Sequence, residues 1–159
     1  MRFAMFYHSL VSDWNHGNAH FLRGVVSELH RRGYKVDVYE PRDGWSRQNL
    51  VRSCGLEAIA RFGRDFPGLR STLYDLKTLD LDVVLNKVDV IIVHEWTPLA
   101  LVERLEQWRK RRPEVRLFFH DTHHRSVNAP AQMTSYDLSA YDEILTFGEV
   151  IRQVYLRKG

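Results

Sequence analysis

The stretch Val88-Asp89-Val90-Ile91-Ile92-Val93-His94 constrains the fold more than any other part of the chain. A strand with one face in water alternates apolar and polar residues. A nearly unbroken Val/Ile run instead suits a strand covered on both faces, as in a parallel sheet flanked by helices. The N-terminal third has the matching order. Arg2 to Tyr7 is a second apolar run, followed by a polar loop from His8 to Asn18. From Ala19 to Arg32 the residues Leu22, Val25, Val26 and Leu29 share one helical face, with Asn18 placed to cap it and Gly33 placed for a left-handed end. Lys35 to Tyr39 then alternates as a short strand that Pro41 stops. Strand, helix, strand is the unit from which parallel sheets are built.

Ser46 is placed to cap a helix through Val51, Cys54, Ala58, Ile59 and Phe62, with Gly63 and Pro67-Gly68 as stop signals. Thr72 to Asp75 reads as a short edge strand and Thr78 to Lys87 as a short helix. Past the Val88–His94 strand, Thr97 and Pro98 open a helix with the stripe Leu101, Val102, Leu105 and Trp108, closed by Pro113. Val115 to His120 and Glu143 to Phe147 are further strands. Gly148 to Lys158 is a last helix, with Val150, Ile151, Val154 and Tyr155 expected inward. No repeat, low-complexity tract or linker interrupts the pattern. The expected fold is one α/β domain over residues 1–159, a doubly wound sheet of five or six mostly parallel strands with helices on both faces.

Composition narrows the function classes. With 44% hydrophobic and 27% charged residues, the 159-residue chain has the make-up of a globular domain and not of a disordered one. No apolar run reaches the roughly 20 residues of a membrane-spanning helix, and Phe3 to Tyr7 is too short for a signal-peptide core. The one cysteine, Cys54, cannot form an internal disulfide, which fits a reducing cytoplasmic setting and a small buried side chain. A net charge of +3 is weak grounds for nucleic-acid binding, and none is expected. The cluster Arg109-Lys110-Arg111-Arg112 closes a helix, where cations favour the C-terminus and stay solvated.

Parallel α/β sheets bind ligands at the carboxyl ends of their strands. Three such ends carry polar residues beyond what folding requires: His8-Ser9 with Asp13 to Asn18, His94-Glu95-Trp96, and His120-Asp121-Thr122-His123-His124. The expectation is that these sets converge on one crevice. Gly17-Asn18 precedes a helix N-terminus, whose free N–H groups suit a phosphate, although neither G-x-G-x-x-G nor G-x-x-x-x-G-K-[ST] is present. His94 and Glu95 offer a hydrogen-bonding pair or general base for a hydroxyl nucleophile. His120, first after its strand, is the best single candidate, with Asp121 beside it. The run His120-Asp121-x-His123-His124 also suits a metal, but its spacing is not that of H-E-x-x-H, and no metal site is assigned.

Several of these segments resemble the N-terminal half of GT-B-fold glycosyltransferases. Gly17-Asn18-Ala19-His20 before Arg23, then Leu29-His30-Arg31-Arg32-Gly33-Tyr34-Lys35-Val36, is similar to their opening helix-to-strand turn, with Tyr34 where His is usual. Asp89 to Trp96 with Pro98 is similar to their D-V-V-H-x-H-x-x-P strand, and Leu117 to Asp121 to a strand ending in a histidine that lines the acceptor side. Tyr141 to Glu149 is similar to the D-x-I-x-x-x-S-E segment, with Gly148 in place of Ser. Tyr39 to Trp45 and Phe119 to Asp121 resemble the spore-maturation CgeB-type branch in particular.

The resemblance implies an acceptor-binding half of an enzyme that moves a sugar from a nucleotide-sugar to an acceptor hydroxyl. A second, nucleotide-sugar-binding half would lie beyond this chain, and residues 1–159 alone would not turn over. It implies that Gly17 and Asn18 approach the donor phosphates, that His94 and Asp121 contact substrate, that His120 orients hydroxyls, and that Glu95 is the general base if the reaction inverts. It implies no cofactor and no metal. The residues themselves leave two other readings open: a stand-alone flavodoxin-like or receiver-like binding module, and a metal-dependent hydrolase built on His120, Asp121, His123 and His124.

Overall fold

A computed structural model describes residues 1–13, 16–122 and 136–158. The chain divides into two compact units, Met1–Val88 and Asp89–Gly159.

The first unit begins with β1 (Arg2–Phe6), α1 (Gly17–Arg31) and β2 (Lys35–Pro41). It continues with α2 (Trp45–Cys54), α3 (Glu57–Asp65), β3 (Ser71–Tyr74) and α4 (Leu81–Val84). Its strands run parallel in the order β3-β2-β1, so β3 is the edge strand expected from the sequence. Phe6 lies beside Tyr39 in the β1–β2 register and stacks on it at 5.2 Å. Helix α1 buries Ala19, Leu22, Arg23 and Val26, the spacing of one helical face. Val25 and Leu29 lie at the margin of that face, half-buried. Each fully buried Leu contributes roughly 1.5–3 kcal/mol of transfer free energy.

Local chemistry sets where these elements end, and it corrects several sequence expectations. Asn18 does not cap α1; His16 does, because its carbonyl already accepts from Ala19 N (2.9 Å) and draws Gly17 and Asn18 into the first turn. Gly33 does take the left-handed conformation (φ +81°), donating to His30 O while Tyr34 donates to Leu29 O, a paired bond that closes the helix. The helix expected from Ser46 through Phe62 is two helices, because Gly55 turns left-handed at φ +75° and Gly63 lies inside the second of them. Ser46 is the second residue of α2 and not its cap. Cys54, expected inside, is exposed at that break.

The second unit contains β4 (Val90–His94), α5 (Leu99–Lys110), β5 (Arg116–Asp121), β6 (Glu143–Thr146) and α6 (Glu149–Lys158), with parallel strand order β4-β5-β6. Every residue of β4 is buried, so both faces of that strand are covered. Helix α5 packs Leu101, Val102, Leu105 and Trp108 inward, as their spacing requires. In α6, Ile151 is buried but Val150 is exposed, contrary to expectation. Arg109 is not solvated as expected. It joins Arg116 and the Leu117 N–H on the Asp142 carboxylate. Burial pushes the Asp142 carboxyl up, but those bonds outweigh it and hold the group below the usual range.

Six strands, three in each unit, with every described pairing parallel and helices between them, make this an α/β, Rossmann-like fold.

Candidate functional site

In the second unit, His94 and His120 sit opposite one another at the carboxyl ends of neighbouring parallel strands. Their rings meet edge to face, 5.7 Å apart at 80°. The backbone fixes the pair, since Glu95 N donates to His120 O at 2.9 Å and Thr97 N to His94 O at 2.8 Å.

A short chain of hydrogen bonds runs from His94 to Glu95. His94 Nδ1 accepts from Trp96 N, which assigns the ring proton to Nε2. That nitrogen lies 2.9 Å from Thr122 Oγ1, and Thr122 in turn donates to Glu95 Oε1 through both its hydroxyl (3.1 Å) and its backbone N–H (3.0 Å). Glu95 has no exposed surface at all. Its position is that of a group that orients Thr122 and, through it, His94.

His120 is also buried, and burial lowers its imidazole to about 4. The ring is therefore uncharged at neutral pH, with one N–H donor and one acceptor nitrogen. Such a ring orients a hydroxyl well and takes up a proton poorly. Asp121 is fully buried, with its Oδ2 accepting from Tyr155 O–H at 2.9 Å. Burial first, then the neighbouring Asp121 charge, pushes that phenol far above its ordinary value. The structure thus brings His94, Glu95, His120, Asp121 and Thr122 together. His123 and His124 lie outside the described residues. Among the described residues no group of three or more His, Cys, Asp or Glu side chains is arranged to hold a metal ion.

In the first unit, Gly17 and Asn18 form the first turn of α1, Gly17 exposed and Asn18 half-buried. Their backbone N–H groups belong to the four that a helix N-terminus leaves without an internal partner. The loop before them is held from below. Buried Glu40 accepts from Leu10 N (2.7 Å) and Val11 N (3.3 Å), and Arg23 donates to Leu10 O (3.0 Å) and Ser12 O (2.8 Å). Phe62 and Phe66 cover the Arg23 guanidinium at 5.1 and 4.9 Å. At the same edge, His8, His16 and Trp45 pack pairwise against one another.

Sequence reasoning placed Thr122 in the polar run after the strand without giving it a role, and missed Glu40, Tyr155 and Trp45 as site or supporting residues. Glu40 carried the one available signal, an acid at the end of an apolar strand, where burial without partners would be costly.

The sequence model of Glycosyltransferase Family 4 matches residues 17–154. Comparison with curated proteins gives no match. Among the described residues no helix is long and apolar enough to cross a membrane.

Proposed function

Because the chain belongs to glycosyltransferase family 4, we propose that it forms the acceptor-binding half of an enzyme transferring a sugar from a nucleotide-sugar to an acceptor hydroxyl. The family match along residues 17–154 carries this reading. The uncharged, strand-end His120 beside His94 supports it chemically. In this account the donor-binding half is supplied outside residues 1–159, on the same gene product or a partner.

His120 hydrogen-bonds the hydroxyls of the reacting sugars and fixes their orientation. Holding an acceptor oxygen at attack distance contributes more to rate than a weak base could, since positioning alone is worth several kcal/mol. Glu95, the sequence candidate for general base, takes a positioning role: its Oε1 is engaged by Thr122 and it has no exposed surface. His94 and Asp121 line the same strand ends, and the α1 N-terminus at Gly17 and Asn18 receives the donor's phosphates. The balanced step joins the acceptor oxygen to the anomeric carbon as the bond to the diphosphate breaks, with the acceptor's proton released. The proposal involves no cofactor and no nucleic acid, and the enzyme works in the cytoplasm. Similarity to the CgeB-type branch remains part of the proposal.

The test is release of nucleoside diphosphate from a panel of nucleotide-sugars. The complete gene product releases it in the presence of acceptor, and residues 1–159 alone do not. A complete gene product inert toward the whole panel would overturn the proposal.

A further inference from the structure

We propose that Trp45, backed by His8 and His16, is a stacking platform for a pyranose ring, so that the acceptor is a carbohydrate. The inference rests on the acceptor-half reading and narrows it to a substrate class.

The three rings come from three separate places: His8 just after β1, His16 at the cap of α1, and Trp45 at the first position of α2. They meet pairwise, His8–His16 at 5.4 Å, His8–Trp45 at 5.5 Å and His16–Trp45 at 5.2 Å. Exposure differs sharply across the cluster. His8 is 5% exposed and Trp45 is 46% exposed, whereas the core tryptophan Trp108 is 4% exposed. Nearly half of the Trp45 surface therefore meets water at the strand ends where parallel sheets bind ligands.

The platform is also held rigidly. Gly44, just before Trp45, donates to Pro41 O at 2.9 Å, and a Cβ on Gly44 would stand 2.9 Å from that same oxygen. The turn is too tight for any other residue, which fixes where α2 and its first side chain begin.

A pyranose has a face of C–H groups flanked by equatorial hydroxyls. Those hydrogens are slightly positive and meet the negative face of an aromatic ring favourably. No other large hydrophobic side chain of α2 is exposed, so Trp45 offers a single ring-sized apolar face. A pyranose covers such a face and keeps its hydroxyls in water, whereas an acyl chain needs a longer apolar track.

The experiment follows the indole Nε1–H signals of the four tryptophans by NMR, with the Trp45 signal assigned from Trp45→Phe. Methyl glycosides and disaccharides should shift that signal saturably. Read by titration calorimetry, Trp45→Ala should abolish the saccharide binding, and Trp45→Phe should weaken it with the fold intact. In the complete gene product, Trp45→Ala should raise KM for the acceptor about tenfold, and by more than it raises KM for the nucleotide-sugar. A Trp45 signal moved only by a nucleoside diphosphate or by lipid micelles would overturn the proposal, as would saccharide binding unchanged in Trp45→Ala. Saccharide binding at Trp45 without any sugar transfer would refute the transferase reading and leave the platform standing. Transfer with an unaltered acceptor KM in Trp45→Phe and Trp45→Ala would do the reverse.

Discussion

Glu40 and Arg23 grip the same three residues of backbone from opposite chemical sides. The carboxylate takes the N–H groups of Leu10 and Val11, and the guanidinium supplies the carbonyls of Leu10 and Ser12. The loop that leads to the α1 N-terminus is thereby satisfied without belonging to a helix or a strand. Ser71 adds a third hydrogen bond to Glu40.

Removing one side of this grip leaves the other charge buried. Glu40→Ala is expected to cost about 3–5 kcal/mol, read by denaturant unfolding. Glu40→Gln keeps one oxygen for Leu10 and Val11 and an amide for Ser71, so it should cost far less. Burial holds the Glu40 carboxyl above its ordinary range, a further reason for the uncharged amide to be tolerated. Equal losses in the two variants would refute this assignment.

His120 makes stability depend on pH. Its pKa is about 4 in the folded chain and near 6.5 when exposed, so between those values the unfolded state binds more protons. The uncharged ring's contribution is complete above pH 6.5 and is lost as pH falls toward 4. The full swing is about 3 kcal/mol. His120→Gln should flatten that part of the stability profile relative to wild type, as measured by denaturant unfolding across the window. An unchanged profile would contradict the burial argument.

Thr122→Val removes the hydroxyl between His94 Nε2 and Glu95 Oε1 while keeping side-chain volume. His94 Nε2 loses its bond to the hydroxyl, and Glu95 Oε1 keeps the Thr122 N–H and loses only the O–H, at an expected cost of about 1–3 kcal/mol. Trp96 N–H still holds the tautomer through Nδ1, so NMR should show the His94 Nε2–H retained but shifted and exchanging faster with water. An unchanged Nε2–H signal would contradict the Thr122 bond.

Gly55→Ala tests the break between α2 and α3. No atom lies within 4 Å of the added Cβ, so the penalty is the backbone alone: φ +75° with ψ 173° is a conformation essentially reserved for glycine, costing about 1–3 kcal/mol for Ala. A stabilising effect on thermal melting would mean that the helices can join.

Residue pattern alone located the six strands because apolar periodicity reports burial directly, as in β4 and in the α5 stripe. It failed where a single backbone dihedral decides, as at Gly55, and where a carbonyl competes with a side chain, as at His16 and Asn18. Of the site, His94, Glu95, His120 and Asp121 were legible because they end strands. Thr122 and Tyr155 were not, because their importance lies in bonds to residues 27 and 34 positions away in the chain. No local pattern carries that information.

Sugar transfer by the complete gene product, wild type against His120→Ala, with the nucleotide-sugar and acceptor that support turnover, bears most directly on the central claim. His120→Ala should lose at least about a hundredfold in kcat/KM with its far-UV spectrum unchanged, the scale set by losing a positioned hydrogen-bonding group. Wild-type transfer rates in folded His120→Ala would contradict it.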